Sequence, residues 1–201
     1  TVPVLSAFSN SYPDIKLTVL TKKQFAPLFR DLDSVSVLLA DFKKDHKGFF
    51  GLYQLSKLVR NLHIDAVADL HNVLRTKILK FFLSGVKVAQ IDKGRSEKKA
   101  LVSGRISESL RSTPQRYADV FRGLGFGFEI DPPIFFAPEP LNASITKILG
   151  DFSKATLGIA PFAAYASKTY PLSQMETVIT ELQKESKVLL FGGGSEETKQ
   201  L

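Results

Sequence analysis

The stretch IDAVADLHNVLRTKILKFFLSGVKVAQID, residues 64–92, decides the fold class. It opens with IDAVADLH (64–71), a run whose hydrophobicity is nearly continuous. A helical pattern follows in NVLRTKILKFFLSG, which predicts Leu74, Ile78, Phe81 and Phe82 inward and a stop at Gly85. A second apolar run, VKVAQID (86–92), completes the unit. Continuous rather than alternating hydrophobicity suits strands of a parallel sheet covered on both faces, so the stretch reads as strand, helix, parallel strand.

The same alternation extends outward. IKLTVLT (15–21) and VSVLLAD (35–41) read as strands, and TVPVLSAFSNSY (1–12) as a helix. In GFFGLYQLSKLVRNL (48–62), Leu52, Leu55, Leu58, Val59 and Leu62 share one helical stripe, with Lys57 and Arg60 off it. TPQRYADVFRGLGFG (113–127) reads as a helix with a glycine-rich end. The expectation is an α/β, doubly wound sheet. Four of the ten prolines then fall in EIDPPIFFAPEP (129–140), and proline cannot donate to a central ladder. This predicts a first domain over 1–128, a linker over 129–141 and a second domain over 142–201. The second begins with a helix near 144–152. Strand TLGIAPF (156–162), helix SQMETVITELQKE (173–185) and strand KVLLFGG (187–193) follow. Ser173 and Glu176 have capping-box spacing, and Met175, Val178, Ile179 and Leu182 make the expected buried stripe. No repeat with a solenoid period occurs.

Composition narrows the function classes. At 44% apolar and 23% charged residues, the chain has the makings of a real core. It holds no cysteine, so disulfides and thiolate metal sites are excluded, which fits a reducing compartment. The histidines His46, His63 and His71 lack metal-ligand spacing. No apolar run reaches the ~18 residues of a membrane span, and the first residues lack signal-peptide character. The net charge of +7 is concentrated: residues 43–122 hold 17 Lys and Arg against 7 Asp and Glu. Such a region attracts phosphates, nucleic acid or an anionic membrane surface. Its basic residues match no nucleic-acid motif, which sets nucleic acid aside. A chain that starts in a helix and stops just after a strand is expected to be a fragment of a two-domain protein, lacking the first strand of one and the rest of the other.

Two turns carry the candidate chemistry. In GIAPFAAYASKTYP (158–171), a strand runs into small residues and then a single cation, Lys168, before a helix. Small residues such as Ala163, Ala164 and Ser167 let backbone N–H groups approach an anion, and Lys168 adds a charge-assisted contact. In FGGGSEE (191–197), glycines at Gly193 and its neighbours permit close backbone approach, and a carboxylate just beyond such a turn can accept hydrogen bonds from ribose hydroxyls. In the first domain, DLHNVLRTK, DKGRSEKK and RYADVFR bring polar and basic residues to the carboxyl ends of strands and to a helix. From these, Asn72, Arg75, Arg95, Lys98 and Arg116 are candidate ligands for an anionic acceptor. No GxxxxGK[ST] loop occurs.

Several blocks in one order resemble a known family. TVPVLSAFSNSYPDIKLTVLT, IDAVADLHNVLRTK, IDKGRSEKKAL, RYADVFRGLG, GIAPFAAYASKTYPLSQMETVI and VLLFGGGSEE are similar to family 9 glycosyltransferases. These are the ADP-heptose:lipopolysaccharide heptosyltransferases, and the blocks resemble the form found in Bacteroides-like bacteria. The resemblance implies the GT-B fold of two Rossmann-like domains, acceptor on the first and nucleotide sugar on the second. It implies transfer of heptose from ADP-heptose to the lipid A inner core, inverting, independent of metal or other cofactor, in the cytoplasm. It also implies donor contacts by Lys168 and Glu196. The family's catalytic aspartate is expected before Thr1, so no catalytic base is assigned within the chain. Ala163 and Ala164 stand where some members carry hydroxyls. Peripheral attachment to the inner face of the membrane is expected from the basic region. Two rival readings remain at this point, a non-catalytic protein for an anionic glycolipid and a nucleotide-dependent Rossmann oxidoreductase.

Overall fold

A computed structural model describes residues 1–130, 140–150 and 153–201. The chain divides into two compact units, Thr1–Ala137 and Pro138–Leu201. Most of the proline-rich stretch expected as a linker (129–141), and the end of the helix expected near 144–152, lie outside the described residues.

The first unit runs α1 (Val2–Ser11), β1 (Leu17–Thr21), a 3-10 helix (Lys23–Phe29), β2 (Val35–Leu39) and α2 (Gly48–Arg60). It continues with β3 (Ala66–Asp69), α3 (Leu74–Phe82), β4 (Lys87–Gln90), α4 (Arg95–Val102) and α5 (Thr113–Gly123). β1 pairs in parallel with β2, Leu17 opposite Val35, and β3 with β4, Ala66 opposite Lys87. Both pairings are parallel, as the apolar runs predict. The expected single sheet is instead two hydrogen-bonded ladders, β1 with β2 and β3 with β4, and each strand keeps four or five residues of its apolar run.

The layering is nonetheless double, and side-chain alternation shows why. Leu17, Val19, Val35, Val37 and Ala68 pack on a core of Val4, Leu5, Phe8, Phe29, Leu32, Ala118, Phe121 and Phe128. Leu20, Leu38 and Val67 pack on a second core of Ala40, Leu52, Leu55, Val59, Leu79 and Leu83. Successive strand residues point to opposite faces, so the strands are covered by α1 and α5 on one side and by α2 and α3 on the other. The ring of Phe8 anchors the first core, 4.6 Å from that of Phe121 and 5.5 Å from that of Phe128. Burying one such ring stabilises by about 1.5–3 kcal/mol.

Helix α2 buries Leu52, Leu55 and Val59 as expected, but Leu58 and Leu62 are exposed. In α3 the inward stripe is Leu79 and Leu83, with Ile78 and Phe82 partly buried, while Leu74 and Phe81 face solvent. The expected stripe was therefore turned by about one residue, and apolar residues on both sides of this short helix made either reading consistent with its period. α5 starts with a capping box in which Gln115 N–H donates to Ser112 Oγ and Ser112 N–H donates to Gln115 Oε1.

The second unit contains α6 (Ala143–Leu149), β5 (Thr156–Ile159), a 3-10 turn (Ala166–Lys168), α7 (Leu172–Leu182), β6 (Lys187–Leu190) and α8 (Gly194–Thr198). β5 and β6 are parallel, Thr156 opposite Lys187. The capping box expected at Ser173 and Glu176 does not form. α7 begins earlier, capped by Pro171, which places Ser173 inside the first turn where its side chain cannot cap. The stripe of α7 is only half-buried at Met175, Ile179 and Leu182, and Val178 is exposed. Among the described residues of this unit only Pro161 is buried.

Candidate functional sites

In the first unit, the loops after β3 and β4 are tied into one constellation. Asp69 ends β3, buried, and its Oδ1 accepts the N–H groups of His71 (3.0 Å) and Asn72 (2.7 Å). Its Oδ2 pairs with Lys80 Nζ at 2.6 Å, and the same ammonium donates to Gln90 Oε1 on β4 at 2.6 Å. One carboxylate thus fixes β3, α3 and β4 together. Burial pushes the Asp69 carboxyl up. Lys80, the N–H of Asn72, Thr76 and the N–H of His71 together outweigh this and hold it below the usual carboxylate range.

The chain turns at Asn72 in the left-handed region (φ 42°), one of the few side chains that tolerates it. Asn72 Nδ2 donates to the Ile91 carbonyl at 3.2 Å, and its own carbonyl accepts from Lys93 Nζ at 3.2 Å. The β4 loop closes when Gly94 N–H donates to Asp92 Oδ1 at 2.9 Å. Gly94 also sits at φ 60°, and an added Cβ there would overlap the guanidinium of Arg116. Only glycine admits both the backbone geometry and the guanidinium.

Arg116 needs correction as an acceptor ligand. It is buried, and its Nη2 donates to Glu97 Oε2, its Nε to the Arg111 carbonyl and its Nη1 to the Asp92 carbonyl. All three donor nitrogens are committed within the protein, so it positions the β4 loop against α4 and α5. Asn72 likewise serves mainly as a tie between two loops. Arg75 lies over the Phe42 ring, 4.1 Å from its centroid. Arg95 and Lys98 lie exposed on α4 and make no ion pair among the described residues. Of the candidate ligands in this unit, Arg75, Arg95 and Lys98 are therefore the accessible cations. Sequence reading missed the organisers Asp69, Lys93, Gly94 and Glu97; the short DKG turn after a strand was the visible signal for two of them.

In the second unit, β5 gives way after Ile159 to an irregular run through Ala163 and Ala164, and then to the 3-10 turn holding Ser167 and Lys168. All four residues are exposed. Lys168 N–H donates to the Tyr165 carbonyl at 2.9 Å, and its ammonium lies 5.6 Å from the Tyr165 ring centroid. Helix α7 starts only at Leu172, so Lys168 belongs to the turn and stands clear of the helix's first residue. The second turn forms after β6. Gly193 N–H donates to Glu197 Oε2 at 2.9 Å, and Gly194 takes φ 82°. Glu197 therefore caps the glycine turn, whereas Glu196 is exposed and pairs with Lys199 at 3.5 Å. Among the described residues no group of three or more His, Cys, Asp or Glu is arranged to hold a metal.

No protein-family model matches the chain, and no curated protein matches it. A solved structure, a glycosyl transferase family 9 protein from Veillonella parvula, is similar over 96% of this chain with a TM-score of 0.72 at 16% identity. The chain spans 58% of the length of that protein. At this identity the likeness is one of fold, and it extends through both units.

Proposed function

We propose that the chain belongs to a GT-B glycosyltransferase that transfers heptose from ADP-heptose to the anionic inner core of lipopolysaccharide, with inversion and without a metal. Fold similarity to a glycosyl transferase family 9 protein along nearly the whole chain carries the reading. The ordered sequence blocks that resemble the heptosyltransferases supply its finer part. The exposed Lys168 turn after β5 and the glycine turn after β6 sit at the carboxyl ends of parallel strands, where α/β folds collect ligands.

In this reading Lys168 and backbone N–H groups near Ala163, Ala164 and Ser167 meet the donor diphosphate, and Gly193 and Glu196 approach the adenosine. Arg75, Arg95 and Lys98 meet acidic groups of the acceptor. An acceptor hydroxyl attacks the anomeric carbon and gives its proton to a carboxylate base. The bond from that carbon to the diphosphate oxygen breaks, and the electron pair leaves on ADP. Lys168 and the N–H dipoles, fixed beforehand, stabilise the charge that accumulates on the leaving phosphate.

Calorimetric titration of the full-length protein with ADP, UDP, GDP and NAD tests the donor site. ADP is expected to bind best, and Lys168→Ala to weaken it at least about tenfold, since a charge-assisted contact contributes roughly 1.5–3 kcal/mol. Equal affinity of the variant removes Lys168 from the site. Preference for NAD moves the protein to the oxidoreductases. With ADP binding established, release of ADP from ADP-heptose in the presence of a lipid A core acceptor tests the transfer.

A further inference from the structure

The first unit carries an aromatic patch that nothing in the proposed reaction uses. Five rings from α2 and α3 form one connected cluster on its surface. Phe49 stacks edge-on against Phe50 (6.1 Å between centroids) and Phe82 (4.9 Å). Phe82 in turn meets Tyr53 at 5.3 Å and Phe81 at 5.7 Å. Phe82 is partly buried and seats the group on the α2–α3 core, but Phe50 is 80% exposed, Phe81 73% and Phe49 55%. On α3, Leu74 is 74% exposed and lies seven residues before Phe81, so it extends the patch along the same helix face. Isolated exposed rings are ordinary, whereas a contiguous cluster of large apolar side chains marks an interaction surface.

The surrounding charge identifies what covers it. Neither α2 nor α3 contains an acidic residue, and residues 43–64 hold five Lys and Arg against one Asp. Lys47 is the residue before the first turn of α2, two positions from Phe49 in the chain, and Lys57 Nζ lies 4.6 Å from the centre of the Tyr53 ring. Lys77 stands four residues before Phe81 and three after Leu74, between them on the helix face. Apolar rings in the middle and ammonium groups at the rim match a bilayer interface, where acyl chains take the rings and anionic headgroups take the cations. Long lysine stems allow the charged ends to reach the headgroups while the rings sink below them. An electrostatic attraction alone would need only the cations; the exposed phenylalanines are what a bilayer adds.

We propose that the Phe49, Phe50, Tyr53 and Phe81 patch, ringed by Lys47, Lys57 and Lys77, inserts into the interface of an anionic membrane and docks the first unit there. The inference stands on this surface and does not depend on the donor or the sugar. These 201 residues contain no tryptophan, so Phe50→Trp in this chain gives a single fluorescent reporter at the most exposed ring of the cluster. With vesicles of phosphatidylcholine containing phosphatidylglycerol, the indole emission is expected to shift to the blue and to be quenched by lipids brominated high on the acyl chain. Pure phosphatidylcholine vesicles should leave it unchanged. In co-flotation with the anionic vesicles, Phe81→Ala is expected to lower partitioning about tenfold, and Lys77→Ala about fivefold. Both residues are exposed, and circular dichroism of each variant should match the parent. An unshifted emission with anionic vesicles overturns the proposal, as does release of all binding by salt with no quenching at any stage. A blue shift without vesicles, accompanied by a dimer in sedimentation, overturns it too and assigns the patch to a second copy of the chain.

Discussion

The two units of this protein use one structural idea with different burial among the described residues. Each joins parallel strands through a helix, and each turns the carboxyl ends of those strands into loops with polar residues. The first unit covers its strands on both faces, with cores on Phe8 and on Leu55. In the described part of the second, Leu157, Val178, Leu190 and Phe191 are exposed and no apolar side chain of α7 is fully buried. A parallel ladder needs both faces covered to draw on hydrophobic burial, and among the described residues only the strands of the first unit have both faces covered. The loops differ accordingly. Those of the first unit are locked by buried ion pairs and side-chain ties, while the Lys168 turn is exposed and accessible.

The largest expected effect probes that lock. Asp69→Ala leaves Lys80 unpaired in a nearly buried position and frees the N–H groups of His71 and Asn72, at a cost of about 3–5 kcal/mol in urea unfolding of the first unit. The same carboxylate sets a pH dependence. Its folded pKa lies below its unfolded one, so its contribution is fully present above the ordinary Asp value and is lost as pH falls through the folded value. Acid titration of stability should therefore show a loss below about pH 4 that Asp69→Asn removes. A parallel fall in the variant would show that another group sets it.

Core truncation sharpens the contrast between the units. Leu55 is fully buried, and Leu55→Ala should cost about 2–5 kcal/mol. Ile179→Ala in the half-buried stripe of α7 should cost about 1 kcal/mol or less, since little cavity can form there. Equal losses would contradict the difference drawn from burial. Hydrogen exchange offers the same comparison without mutation: amides of β3 and β4 should exchange far more slowly than those of β5 and β6.

Gly94→Ala comes next. The positive φ and the contact with Arg116 should together cost at least about 1 kcal/mol, and the variant should disturb α4 while leaving the second unit unchanged. The smallest expected effect on stability is that of Lys168→Ala, within about 0.5 kcal/mol, because its side chain is exposed. A large loss would mean that Lys168 holds the turn together, and a fall in nucleotide affinity would then report folding instead of contact.

The sequence by itself determined the positions of six strands, their parallel pairing and most of the helices. Those features follow from local periodicity and from apolar runs that can be read without knowing their neighbours. It also exposed the two turns of the second unit that carry the candidate donor residues, because small residues and glycines beside a lone charge are a local pattern. Only the tertiary structure decided which face of α3 is buried, since Leu74 and Phe81 satisfy the helical period as well as Leu79 and Leu83 do. Only it turned Arg116 from a candidate ligand into a structural bond, because its acceptors lie at Glu97, Asp92 and Arg111. Whether a charge is free or spent depends on partners that folding brings within hydrogen-bond distance, and a one-dimensional pattern carries no record of those distances.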